Sequence, residues 1–135
     1  MNMAEKVAFE LVSPDQLLMS VEADVVAMPG MEGDFGVLPG HAPFISALRA
    51  GIITVEGSSE GVGQVYIDGG FAEVVADRLT ILAEEAVPVD DMDRANIEQR
   101  IQEANDELAE AEDGEERRLA ESKISMLQEM LVSAN

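Results

Sequence analysis

Asp34-Phe35-Gly36 spells the metal-binding triplet of protein kinases, in which an aspartate holds magnesium against nucleotide phosphates. A chain of 135 residues with no Gly-rich phosphate loop, no Val-Ala-Ile-Lys strand and no His-Arg-Asp loop cannot complete that site. Gly30, Gly33 and Gly36 have the look of a phosphate cradle, but no Lys-Ser/Thr pair follows them, and a strand and a Pro39-Gly40 turn come next. They read instead as glycines serving tight turns. His41 is the only histidine, and a metal site built on it would need several carboxylates brought from elsewhere in the fold. It reads as a surface loop residue. Glu84-Glu85, Asp90-Asp91 and Glu115-Glu116 are carboxylate pairs, yet sequence neighbours point to different faces of a strand or helix and so form no acid/base couple. Ser13, Ser46, Ser58 and Ser59 lie in no Gly-x-Ser-x-Gly elbow. No catalytic apparatus, no metal site and no resident cofactor are expected.

Composition narrows the partners. With 28 acidic and 8 basic residues the formal net charge is −20, which repels nucleic-acid phosphates and anionic lipid headgroups alike. No apolar run is long enough to cross a membrane, and no basic segment precedes an apolar one as in a secretory signal, so membrane association is expected only through partner proteins. The absence of cysteine removes disulfides and thiol chemistry. A hydrophobic content of 47% supports one modest core, not two large ones.

The elements that must position these residues change character once along the chain. Val7, Phe9 and Leu11 alternate with Ala8, Glu10 and Val12, and further short runs span Val21 to Met28, Ile52 to Glu56, Val65 to Asp68 and Leu79 to Ala83. The breaks are Ser13-Pro14-Asp15, Pro29-Gly30, Pro39-Gly40, Gly57-Ser58-Ser59-Glu60-Gly61, Asp68-Gly69-Gly70 and Ala76-Asp77-Arg78. Residues 1–88 are therefore predicted to form an antiparallel β-sandwich. After Pro88 the period lengthens: Ile97, Ile101, Ala104, Leu108 and Ala111, then Ile124, Leu127, Leu131 and Ala134, recur at helical spacing. Asp90 or Asp91 can cap the first helix, with Asp93 in its first turn, and Asp113-Gly114 can end it and start the second. Residues 89–135 thus read as an antiparallel two-helix hairpin, which makes the chain an α+β protein.

One resemblance is specific. The segment from Met28 to Val55, MPGMEGDFGVLPGHAPFISALRAGIITV, and the later YIDGGFAEVVADRLTILA of Tyr66 to Ala83 resemble the N-terminal domain of the epsilon subunit of F-type ATP synthases. The resemblance implies a non-catalytic rotor part of a proton-translocating ATP synthase, whose sandwich binds the foot of the gamma subunit and sits on the membrane-embedded c-ring. It makes Glu32, Gly33, Asp34 and His41 a loop facing the c-ring, as contacts and not as catalysts. It also implies peripheral attachment, through partner subunits, to the cytoplasmic face of a bacterial inner membrane. The lack of a transit-like N-terminus favours a bacterial or organelle-encoded chain.

The resemblance assigns two further roles to the hairpin. In some members it holds ATP through an aliphatic residue, Asp, two variable residues, Arg and Ala; here Asp91, Arg94 and Ala95 match, while Asp90 places a charge where an aliphatic residue is required. The alternative reading of the chain is accordingly an ATP-sensing module, against which stand 14 acidic and 5 basic residues between Val89 and Asn135. A cap plus an Asp91-Arg94 pair within the helix is the plainer reading. The family's hairpin can also extend to the catalytic alpha/beta head and block hydrolysis through basic side chains. Here only Arg117, Arg118 and Lys123 follow Gly114, among Glu115, Glu116, Glu121 and Glu129, so inhibition is expected to be weak.

Overall fold

The computed structural model describes residues 6–58 and 63–133. Ser59, Glu60 and Gly61 of the predicted turn and Ala134 of the predicted helical stripe lie outside the described residues. The chain divides between Val89 and Asp90 into a β unit and a helical unit.

Eight strands make up the β unit: β1 (Val7–Val12), β2 (Leu17–Ala23), β3 (Val25–Gly30), β4 (Gly33–Val37), β5 (Phe44–Glu56), β6 (Gln64–Val75), β7 (Arg78–Leu82) and β8 (Ala86–Pro88). They hydrogen-bond in the order β2-β1-β7-β6-β5-β3-β4, with β8 also on β6. The long β5–β6 ladder runs from Phe44↔Val74 to Thr54↔Gln64 and is shared by both layers of the sandwich. On its free side β6 pairs with β8 at Val65–Ile67 and with β7 at Phe71–Val75, so the layers part between these two stretches. Asp68-Gly69-Gly70 is therefore a bend inside one continuous strand and not the break that its composition suggests. Gly69 and Gly70 adopt φ +100 and +153. A Cβ on Gly70 would stand 2.2 Å from the Leu82 carbonyl oxygen, so only glycine lets β7 approach the bend.

Pro29-Gly30 closes β3 as the predicted break requires; Pro29, which has no N–H to donate, falls where the β3–β5 register shifts between Ala27 and Gly30. The predicted Val21–Met28 run is divided at Asp24, where the chain leaves one layer for the other. There Lys6 Nζ donates to Asp24 Oδ1 at 2.7 Å and to the Gly57 carbonyl at 3.0 Å, and the Asp24 N–H donates to the Glu56 carbonyl at 2.8 Å. Pairing is antiparallel except between β1 and β7, which run parallel because no hairpin joins them.

Alternation along β1 buries Val7, Phe9 and Leu11 as predicted. Cross-strand register turns this into rows on the inner face: Phe44–Val74–Leu79–Phe9–Val21, and beside it Ala72–Ile81–Leu11–Met19. Val26, Val37, Ile53, Val55, Val65 and Ile67 complete the core from the other layer.

The helical unit comprises α1 (Arg94–Glu110) and α2 (Gly114–Ser133), which pack on each other and bury Ile97, Ala104, Ala120 and Leu127. The cap of α1 is Asp93, not Asp90 or Asp91: its side chain accepts from the Asn96 N–H at 2.8 Å, and Val89–Asp91 forms a 3-10 turn instead. Asp113 caps α2 as predicted, accepting from the Glu116 N–H at 2.8 Å, while Glu116 reaches back to the Glu112 N–H at 2.9 Å.

Replacing Gly70 by Ala is expected to lower unfolding free energy by more than about 2 kcal/mol, since the new methyl meets backbone and not a movable side chain. Gly63→Ala, with open space at its Cβ, is expected to change it by less than about 0.5 kcal/mol. Urea unfolding of the two variants measures the difference.

Candidate functional site: a docking face and a polar edge

The outer face of the layer built from β2, β1, β7 and the adjoining halves of β6 and β5 is the least ordinary surface among the described residues. Ala47 pairs with Phe71, Phe71 with Leu82, Leu82 with Val12, and Val12 with Leu17. Residues directly opposite share a face, so Ala47, Phe71, Leu82 and Val12 line up on one side, and the exposed Leu17 adjoins Val12 across the β1–β2 register shift at Leu11/Val12, giving an apolar row over five strands about 19 Å long at roughly 4.8 Å per strand. Phe71 is 58% exposed, Leu17 56% and Leu82 45%, and on the same face Ile45 and Val75 stand 72% and 53% exposed. An exposed apolar run of this length is a candidate contact surface. The next row, Ile45–Glu73–Thr80–Glu10–Ser20, is largely polar and bounds the band.

The predicted polar loop resolves into two pieces. Glu32 lies in the β3–β4 turn, and Gly33 opens β4 with φ +139, a value that favours glycine. Asp34 faces Pro29 across the hairpin and pairs with the Arg49 guanidinium of β5 at 2.5 Å. His41 belongs to the separate connection from β4 to β5; its ring sits 4.9 Å from that of Phe44, which in turn meets Phe35 at 5.5 Å. The same connection is tied to the β6–β7 turn, because the Gly40 N–H donates to Asp77 Oδ1 at 2.6 Å. In that turn Ala76 holds φ +56. Three contacts, Asp34–Arg49, His41–Phe44 and Gly40–Asp77, thus tie this edge together.

Among the described residues no polar or charged side chain is buried, so no carboxyl has the apolar pocket that a general acid requires. Nor, among them, are three His, Asp or Glu side chains grouped to hold a metal ion.

In the hairpin, Asp91, Arg94 and Ala95 are exposed, and Arg94 pairs with Glu98 at 3.6 Å, one turn on, not with Asp91 as the sequence suggests. Arg100 Nε donates to Asn96 Oδ1 at 2.9 Å. A nucleotide at this helix start would have to draw both arginines from these partners. Arg117 and Arg118 are exposed, with Arg118 3.6 Å from Glu115. Lys123 differs from them: it spans the hairpin to Glu107 at 3.2 Å and holds α2 to α1.

The apolar row, Arg49 and Asp77 escaped sequence reasoning. The signal was present in β6 and β7, where Phe71 and Val75 accompany Ala72 and Val74, and Leu82 follows Leu79 and Ile81, so that both faces carry apolar residues.

Residues 6–89 match the family described as the ATP synthase delta/epsilon chain β-sandwich domain. The chain is 44% identical over 128 residues to the ATP synthase epsilon chain of Parvibaculum lavamentivorans, covering 95% of this chain and 97% of that one. It is 45% identical over 128 residues to that of Maricaulis maris, covering 95% and 96%. Among solved structures it resembles a chain in the cryo-EM structure of Euglena gracilis mitochondrial ATP synthase, containing OSCP, F1 and c-ring, with a TM-score of 0.71 and 26% identity over 98% of this chain and 84% of that one. A chain from the Tetrahymena thermophila mitochondrial central stalk and c-ring shares the fold, with a TM-score of 0.67 at 12% identity over 93% and 96% of the two chains.

The contact from Gly40 to Asp77 generates a local expectation. Asp77→Ala should cost about 1–2 kcal/mol of stability and speed hydrogen exchange at the Gly40 amide, while the amides of central β5 and β6 residues stay protected up to the global limit. Amide exchange followed by NMR reads both.

Proposed function

Because the chain belongs to the ATP synthase delta/epsilon family, we propose that it works as a rotor adhesive: a non-catalytic central-stalk subunit that passes c-ring rotation to the catalytic head through the gamma subunit. The observation that carries this reading is the apolar row of Ala47, Phe71, Leu82, Val12 and Leu17 on the outer face of the sandwich. Transmission of torque needs a joint that does not yield. Side chains fixed on paired strands lose little freedom when a partner covers them, so burial is converted into adhesion with a small ordering cost. This face takes the gamma subunit.

The edge holding Glu32, Gly33, Asp34 and His41 takes the polar loops of the c-ring. Its contacts are stiff for local reasons, since Arg49 holds Asp34, Phe44 backs His41 and Asp77 holds Gly40. No described helix is long and apolar enough to cross a membrane. Attachment to the cytoplasmic face of the bacterial inner membrane runs through the partner subunits.

The hairpin is a weak brake on hydrolysis. Lys123 is occupied by Glu107, which leaves Arg117 and Arg118 as the exposed cations of α2 among Glu115, Glu116, Glu121 and Glu129. An acidic surface of the head would be repelled by most of this helix.

Phe71→Asp in the full-length chain is expected to weaken binding to a gamma-containing head lacking this subunit by about tenfold or more, and to reduce ATP-driven proton pumping in proportion. Unchanged binding and pumping would remove the docking reading. For the hairpin, Glu121→Lys with Glu129→Lys should deepen inhibition of ATP hydrolysis by the reconstituted complex; equal rates with both proteins would show that charge does not limit the brake.

A further inference from the structure

The β unit contains three basic residues, Lys6, Arg49 and Arg78, in a chain of net charge −20. Two are spent internally, Lys6 on Asp24 and Arg49 on Asp34. Among the described residues, Arg78 makes no ion pair or side-chain hydrogen bond, although carboxylates lie close by in the fold. It opens β7 directly opposite Val75 on β6 and Ala8 on β1, and alternation places it on the same outer face as Thr80 and Leu82. Glu73 shares a shallow depression there with Arg78, Ala8, Val75 and Thr80, but sits opposite Thr80, one pair along from Arg78. The nearest acidic residue in sequence, Asp77, accepts from the Gly40 N–H.

We propose that Arg78 is the polar anchor of the docking face and receives a carboxylate from the subunit that covers the apolar row. The proposal rests on the docking reading given above. Three features of the site support it. An apolar band attracts without direction, so a covering partner needs some polar contact to fix its register. On a face whose other charges include Glu10 and Glu73, Arg78 is the cation a partner carboxylate can engage directly. Ala8 and Val75 flank it, so covering the face removes water from around the guanidinium and strengthens the pair, while the planar fork of arginine can engage both carboxylate oxygens. The partner that fits is therefore a surface with an apolar ridge and an acidic side chain displaced from it toward the β6–β7 turn.

The test measures affinity of the full-length protein for the cognate gamma-containing head lacking this subunit, at low and high salt, with circular dichroism to confirm folding of each variant. Arg78→Glu is expected to weaken binding by about tenfold or more, with Arg78→Lys intermediate. Wild-type affinity is expected to fall more steeply with salt than that of Arg78→Ala. If Arg78→Glu binds as tightly as wild type while Phe71→Asp binds weakly, the anchor assignment is overturned and the docking face stands. If neither substitution changes binding, the docking face itself falls and the anchor with it.

Discussion

The close approach of Gly70 to the Leu82 carbonyl is the constraint on which the β unit depends. Without a side chain at that point, β6 can turn through its middle while keeping its ladder with β5, and one edge of the same strand can serve β8 first and β7 afterwards. A single sheet is thereby folded onto itself. The core forms between its halves, and the two layers are joined by covalent strand as well as by packing. That continuity is what makes the outer face a rigid platform: the apolar row crosses five strands that cannot slide, because a shift of one residue would move Phe9, Leu79 and Val74 out of the core.

A chain with 28 carboxylates and 8 cations must place its cations sparingly. Lys6 stands where the chain passes from one layer to the other, Arg49 lies in the stretch of β5 that faces the bend of β6, and Lys123 joins the two helices. Each pair is at least partly solvated, and such pairs individually contribute on the order of 1 kcal/mol or less. Their value lies in location: each fixes a junction where repulsion among the surplus carboxylates would otherwise favour opening. The same scarcity makes Arg78 conspicuous, since among the described residues it makes no ion pair.

How much of this was legible in the sequence followed the range of the interaction involved. Period-two burial of Val7, Phe9 and Leu11 and helical spacing of Ile97, Ala104 and Leu127 depend on one element each, and both were readable. The class of fold and the division near Pro88 followed from them. Asp68-Gly69-Gly70 reads as a break in sequence because the same residues that end strands also permit bends within long ones, and only the partner strand decides between the two. The cap moved from Asp90 or Asp91 to Asp93 because three acidic residues within four positions offer equivalent caps until the 3-10 turn selects one. The docking row was hidden for a stronger reason. Phe71, Leu82, Val12 and Leu17 are far apart in sequence, and only the register of three strand pairs sets them side by side.

The two units divide the work along lines that their cohesion dictates. The β unit is held by strand pairing throughout and by an interior of large apolar side chains, so its docking face can bear sustained lateral force without local opening. The hairpin has a thin seam of Ile97, Ala104, Ala120 and Leu127, reinforced by the Lys123–Glu107 ion pair and the Asp93 and Asp113 caps. A seam so rich in small side chains gains less from burial, and rearranging it costs correspondingly little. On the proposed reading, adhesion belongs to the sandwich and adjustment to the helices. The acidic excess of the hairpin sets the direction of that adjustment, because any surface it approaches must supply the positive charge that the hairpin itself lacks.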